Sequence, residues 1–447
     1  MNNRSYGKIG LINVCDVDYI IPEVKNFVET AVDNLKKRGL DIVLLKDSIT
    51  SELEAQTKIP AFLHNDLDAV IVFLGAWAQC PEAIAVVREI EHLPFCLWGL
   101  PMYEDNTGKL DGTCSYVSYS MIKGSLDRMG YNYQHFIGMP DDNEVLNEVK
   151  NFCEIAITIQ KLKRTRIGMV GGFSVGIWPA TYDHVFLRKF IGPNVLPFDS
   201  YTIIRRAEEY SDSVIKPTID FIKSMTRIDS SVTNDHLSKI GRLALSLKSI
   251  CDDYSLQAIT VKCQTEFSKE YKMIMCVPLA VVAEQGIIAA CESDIPCMVS
   301  MIMLNYLSGK TTAYGDAFNH IGNMVKFSPC GFAPFSMVDK EKRLIAKQDK
   351  FAGFNGINCR NVFMPGKLTF MRLVEDCGSY HLIYGTGTGI ETELRQTCMP
   401  AIDVELDGDI NILLNTYAGQ HYAFCYGDIT NKLEMLAKSL NIEMIKV

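Results

Sequence analysis

The chain lacks any CxxC pair, although it carries 15 cysteines in 447 residues. Scattered thiols without paired spacing exclude a zinc ribbon and a disulfide-stapled secreted fold, and read instead as reduced and mostly buried. The opening stretch "MNNRSYGKIGLINVC" has too short an apolar run for a secretory leader, so a cytoplasmic location is expected. Long hydrophobic runs are also missing. "MIMCVPLAVVAEQGIIAAC" and "CMVSMIMLNYL" are broken by charge, Gln or Gly well before ~18 residues, which predicts no membrane span. Positive charge is not concentrated: Lys and Arg number 44 against 53 Asp and Glu, the net charge is −9, and no nucleic-acid surface is expected. HxH and HExxH are absent, which removes the usual water-activating motifs of a metal-dependent hydrolase. No nucleophile elbow is present either.

What remains is ordinary globular material, 48% hydrophobic and 22% charged, long enough at ~150 residues per domain for about three domains or two large ones. Strand-like "KIGLINVC", "DIVLLKD", "LDAVIVFLGAW" and "LPFCLWGL" alternate with amphipathic helices such as "PEVKNFVETAVDNLKKRG", closed by Gly39. That rhythm predicts a parallel sheet with helices on both faces. A second α/β segment opens at "RIGMVGG". From about Gly309 short runs punctuated by Gly and Asn, including "GKLTFMRLVEDCGSYHLIYGTGTG", "CMPAIDVEL" and "DINILLNTY", suggest antiparallel strands. The expectation is an α/β chain of two doubly wound parallel-sheet domains, 1–164 and 165–308, followed by a β-rich, antiparallel barrel-like C-terminal domain, 309–447.

Two glycine clusters invite nucleotide readings and are better explained as tight turns. "GGFSVG" (171–176) follows a strand but lacks the Lys-Ser/Thr of a phosphate loop, and "GTGTG" (385–389) has no following helix. Acids are more telling. In "ACESDIPCMVSMIMLNYLSGKTTAYGDA", Glu292 and Asp316 bracket an apolar helix, and they converge only if the chain doubles back at Gly309. As ordinary residues, Glu292 and Asp294 of "ESD" would be first-turn acids and Asp316 a turn or cap residue. His421, in "YAGQHYAFCYGD", lies where a side chain can face a cleft, and His320, four residues after Asp316 and so its neighbour on a helix, is a rival ligand.

Several stretches together resemble the L-fucose isomerase/L-arabinose isomerase family, more nearly the fucose type. "SVGIWPATYDHVFLRKFIG" resembles the loop that opens the family's second domain, and "TIIRRAEE" the Arg-Arg segment after it. "AITVKCQTEF" is similar to a strand carrying a substrate-contacting Gln, and "ACESDIPCMVSMIMLNYLSG" to the segment carrying a metal-binding Glu. The fucose type has a metal-binding Asp 24 residues beyond that Glu, and Glu292 and Asp316 are 24 apart. "PGKLTFMRL" and "GQHYAFCYGDITNKLEMLAKSLNIE" resemble the C-terminal strand and the ligand-His region. His421 stands 21 residues before Ile442, as in the arabinose type.

The resemblance implies an aldose–ketose isomerase that acts on a monosaccharide through an enediol. Glu292 and Asp316 would be ligands and proton-transfer groups, and His421 the third ligand. Two carboxylates and an imidazole suit Mn²⁺, or Mg²⁺ or another divalent cation, better than a thiolate site would. Gln264 and Val175 fall where the family lines its sugar pocket. Trp77 matches an aromatic that one subunit offers to its neighbour, so a homo-oligomer, a hexamer in the family, is implied. Three departures matter: Pro329 and Cys330 stand where the arabinose type has a further metal His, "INVCDVDYIIPE" has no substrate-reaching Arg, and the chain is shorter than the fucose enzyme. They leave the sugar open: a deoxy sugar, a pentose or a hexose with an anionic C6 group. The alternative is a non-catalytic sugar-binding or regulatory homologue.

Overall fold

A computed structural model describes residues 7–104, 107–174, 176–347, 355–392 and 399–447. The chain divides into two compact units, Met1–Lys161 and Leu162–Val447. The first is built from β1 (Lys8–Asn13), α1 (Pro22–Lys37), β2 (Asp41–Leu44), α2 (Glu52–Leu63), β3 (Ala69–Leu74), α3 (Cys80–Ile90), β4 (Phe95–Gly99), α4 (Ser115–Met129), β5 (Gln134–Ile137) and α5 (Asn143–Arg164). Its strands lie in the order β2-β1-β3-β4-β5, all parallel. β3, AVIVFL, is buried at every position, as a strand covered on both faces must be. One face packs on α2, α3 and α4 through Ile59, Val86 and Ile122, and the other on α1 and α5 through Val28, Leu35 and Val149. α1 ends as expected, with Gly39 at φ +88° just past the cap.

The second unit opens with four parallel strands, β6 (Arg166–Val170), β7 (Asn194–Phe198), β8 (Ala258–Val261) and β9 (Ile288–Cys291), in the order β9-β8-β6-β7. Between them run α6 (His184–Phe190), α7 (Ser200–Glu209), α8 (Asp212–Met225), α9 (Asn234–Asp253) and α10 (Cys276–Glu284). α11 (Ile295–Ser308) is almost wholly buried and ends at Gly309, which adopts φ +66° and lets the chain double back. Then come β10 (Ala313–Ile321), β11 (Met324–Ser328), β12 (Gly366–Asp376), β13 (Ser379–Ile390), β14 (Ile402–Leu406), α12 (Ile410–Thr416), β15 (His421–Tyr426), α13 (Thr430–Ser439) and β16 (Glu443–Lys446).

Antiparallel pairing runs β12-β15-β10-β11-β14-β13 and returns to β12, so six strands close on themselves. β16 adds in parallel beside β13. Closure removes the free edges that an open sheet would expose. Phe327, Phe370, Phe424 and Tyr422 pack against one another at its centre. α11 lies against β12 and β15, and this contact positions the site.

Three local expectations are corrected. "DINILLNTY" is a helix, α12, and not a strand. Asp409 caps it by accepting from the Asn411 N–H at 2.8 Å, Asn323 accepts from Ile410 N–H at 3.0 Å, and the buried Ile410 and Leu413 are three apart. "GTGTG" is not a turn but part of β13. A Cβ at Gly387 would come within 2.5 Å of Val404, and one at Gly389 within 2.5 Å of Ile402, so these glycines admit neighbouring strands. Asp316 and His320 share a strand rather than a helix. His320 is exposed and lies about 13 Å along the chain from Asp316, at ~3.3 Å per residue.

Candidate metal centre

The site begins at a strained turn. Between β9 and α11, Glu292 (φ +71°) and Ser293 (φ +51°) both occupy the left-handed region, which costs non-glycine residues about 1–3 kcal/mol each. Hydrogen bonds hold the turn. Glu292 N–H donates to Val261 O at 2.9 Å, and Ser293 N–H to Thr260 Oγ1 at 3.0 Å. The single Ser174 hydroxyl proton goes to Glu292 O at 2.5 Å. Asp294 then caps α11, accepting from Cys297 N–H at 2.8 Å through Oδ1.

From the barrel side, β10 and β15 pair so that Asp316 stands opposite His421. On its other side β10 is closely approached by β11 at Gly315, where a Cβ would meet Ser328 N at 2.8 Å. His421 is fully buried. Its Nε2 lies 2.7 Å from Glu292 Oε2 and 3.5 Å from Asp316 Oδ1, and its Nδ1 lies 2.8 Å from Asp294 Oδ2. The Tyr314 ring meets the imidazole edge-on at 5.1 Å. Glu292, Asp316 and His421 each offer a ligand atom, all within 4.8 Å of one another; among the described residues no other such group of His, Cys, Asp and Glu occurs.

The charges of the cluster are tightly interdependent. Burial opposes charge on His421, but hydrogen bonds to Asp294 and Glu292 more than offset it and raise its pKa to about 10. Both ring nitrogens face carboxylate oxygens, which only accept, so both must carry protons. Burial pushes Glu292 up, yet His421 holds it below the usual carboxylate range. Asp294, also opposed by burial, is drawn down to about 2 chiefly by Arg372, with His421 assisting. Asp316 is different: burial raises it to about 6, and the attraction of His421 does not compensate.

Sequence reasoning missed two members of this constellation. Asp294 was treated only as one of several first-turn acids. Arg372 was not singled out, although a lone Arg inside apolar "KLTFMRLV" must find partners. It is 1% exposed. Nη1 donates to Asp294 Oδ2 at 3.0 Å and to His421 O at 2.8 Å, and Nη2 to Pro179 O at 2.8 Å. Gly419 leaves room for it, because a Cβ there would lie 2.6 Å from the guanidinium.

The remaining candidates are placed as follows. Gln264 is half-buried beside the turn, its Oε1 3.2 Å from Ser174 Oγ. Val175 lies outside the described residues. Trp77 belongs to the first unit, partly exposed in the loop after β3, where its carbonyl accepts from Asp16 N–H at 2.7 Å. Among the described residues no helix is long and apolar enough to cross a membrane.

An acidic, nitrogen-containing donor cluster beside parallel strands, joined to a closed antiparallel sheet, gives this α/β protein a possible buried metal site. No family model matches the chain. Similar curated proteins carry one name, sulfoquinovose isomerase. That of Priestia megaterium is 22% identical over 432 residues, covering 93% of each chain. That of Alkalicoccus urumqiensis is 21% identical over 443 residues, covering 95% of this chain and 97% of its own. That of a Clostridium species is 23% identical over 388 residues, covering 80% and 82%.

Proposed function

We propose that the chain is a metal-dependent aldose–ketose isomerase, similar to the L-fucose isomerase type, whose substrate is a hexose with an anionic group on C6, sulfoquinovose first among them. That it is an isomerase interconverting aldose and ketose follows from the four curated relatives. The observation that carries the metal reading is the meeting of Glu292, Asp316 and His421.

The donor set fits a hard divalent cation such as Mn²⁺ or Mg²⁺. The cluster neutralises its carboxylates by holding a proton on His421 and another, below about pH 6, on Asp316. Glu292, Asp316 and His421 would hold one divalent cation in place of those two protons. Bound there, it would stabilise the negative charge that develops on the sugar's C1 and C2 oxygens.

The chain's own groups carry the protons. Asp316 takes the C2 proton of the aldose and returns it to C1, leaving a ketose. Glu292, held on its strained turn, faces the same space and serves the hydroxyl proton. Asp294, itself held by Arg372, fixes the imidazole in one orientation. Gln264, beside the turn, orients the sugar. In this reading Trp77 completes a neighbouring subunit's pocket in a homo-oligomer.

The test is turnover across sulfoquinovose, L-fucose and D- and L-arabinose, with chelated protein compared with protein reloaded with Mn²⁺. Restored interconversion of sulfoquinovose is expected. Restored activity on a neutral sugar alone would overturn the anionic-substrate reading, and activity untouched by chelation would overturn the metal reading.

A further inference from the structure

A second strained turn stands at the end of the strand beside β9. Thr265, four residues beyond β8, adopts φ +74° and ψ −83°, near the tight γ-turn that is rare and strained. Glu266 N–H closes it by donating to Gln264 O at 3.1 Å. A β-branched residue bears this backbone at a cost, and the Thr265 side chain is exposed, so packing does not offset it. The surroundings impose the turn. Lys262 N–H is held by Val170 O at 2.9 Å. Beyond Thr265 a single turn of π-helix, Glu266–Glu270, sends Lys269 and Glu270 N–H back to Thr265 O at 2.8 and 3.1 Å. Phe267 and Ser268 within it are buried, and Ser268 N–H returns to Cys263 O at 3.0 Å.

What the turn holds is Gln264. Ser174 has one hydroxyl proton and gives it to Glu292 O at 2.5 Å. The Gln264 amide atom 3.2 Å from Ser174 Oγ must therefore be the donor, Nε2, with the amide turned end for end. The amide oxygen then faces away from Ser174, where that end of the amide has no hydrogen-bond partner among the described residues. We propose that Thr265 is a positioning residue: its strained turn, with Ser174, presents the Gln264 amide oxygen as the acceptor for one hydroxyl of the sugar. The identity of that ligand rests on the isomerase reading; the fixing of Gln264 does not. A turn that orders Gln264 beforehand leaves less freedom to lose on binding. Glycine adopts the same backbone without strain but many others as well, and valine keeps the branched Cβ while dropping only the hydroxyl.

Steady-state kinetics of the full-length, Mn²⁺-loaded protein on sulfoquinovose test this. Thr265→Gly should raise KM about two- to fivefold at nearly unchanged kcat, with the unfolding midpoint kept or raised. Thr265→Val should keep the parent KM. Gln264→Ala should raise KM about tenfold, and in that background Thr265→Gly should add nothing. Equal losses from Thr265→Gly and Thr265→Val would assign the effect to the hydroxyl and overturn the proposal. So would an unchanged KM in Thr265→Gly, or a loss that persists once Gln264 is removed. A parent that turns over no sugar would sink the isomerase reading on its own, and hydrogen exchange would still decide the positioning. The peptide spanning Gln264 should exchange faster in Thr265→Gly than in the parent and Thr265→Val, and equal exchange in all three would overturn the fixing of Gln264.

Discussion

The two parallel sheets end very differently. At the C-terminal edge of the first, Asn13 bridges loops with a neutral amide, giving Nδ2–H to Ser48 Oγ at 2.8 Å and accepting from Gly75 N–H at 3.0 Å. Ser115 and Thr113 tie down Leu74 O and Gly75 O nearby. Every one of these bonds is neutral and complete within the chain. At the same edge of the second sheet stand Glu292 and Asp294, buried beside His421 and Arg372. Burying charge is expensive unless it is paired, and here the pairing depends on protons that a cation could replace. The same α/β architecture therefore supports a mechanical junction in one place and a chemical centre in the other. The difference comes from the acids on the turn after β9 and from the strands of the closed sheet that bring His421 and Arg372 against them.

The largest effect should come from removing charge at the centre without changing its shape. Glu292→Gln should lower kcat by about 10²–10⁴-fold with the circular dichroism spectrum kept. Activity within tenfold of the parent would disprove the assignment. Next comes Arg372→Met, which strands Asp294 without its strongest partner. Denaturant unfolding should show a loss of about 3–5 kcal/mol. Asn13→Ala, at the neutral junction, should lose only about 1–3 kcal/mol. If the order of those two were reversed, the contrast between the edges would fail.

The parallel sheets were legible because βαβ alternation is a local pattern, and Glu292, Asp316 and His421 because their types and spacings matched a known arrangement. α12 was misread because Ile410, Leu413 and Leu414 form a short apolar run that suits either period, and Asn323, which holds its first turn, is 87 residues away. Arg372 was passed over since its partners Asp294 and Pro179 lie 78 and 193 residues away in sequence. Glycines 385, 387 and 389 were misjudged for the opposite reason: a Gly signals either a turn or a close neighbour, and only the neighbouring strands decide which.

Acidity gives a finer test of the charged edge. His421, raised from 6.5 to about 10, adds stability that is present below 6.5 and lost as pH rises through 10. Asp294, lowered from 3.8 to about 2, adds stability that is present above 3.8 and lost as pH falls through 2. Asp316, raised from 3.8 to about 6, works against folding as it ionises between those values. Chelated protein should therefore lose thermal stability between pH 7 and 10, and Mn²⁺ should restore it. Calorimetric binding in buffers of differing ionisation enthalpy should register about one proton released per cation at pH 8, and more below pH 6. Proton release near zero would mean that His421 is not displaced from its carboxylates.

The smallest expected effect is also the sharpest on ligand choice. His320 and His421 are both imidazoles near Asp316 in sequence or space, yet only one shares its pairing position across β10 and β15. His320, beyond the irregularity between Ala317 and Asn319, is exposed to solvent. His320→Ala should leave Mn²⁺ affinity and turnover within twofold of the parent, whereas His421→Ala should weaken the metal by at least about tenfold. An exposed imidazole two strand repeats from the carboxylate has no geometric route to the same cation. A matched loss in both variants would mean that β10 rearranges on metal binding and that Asp316, not His421, sets which histidine is used.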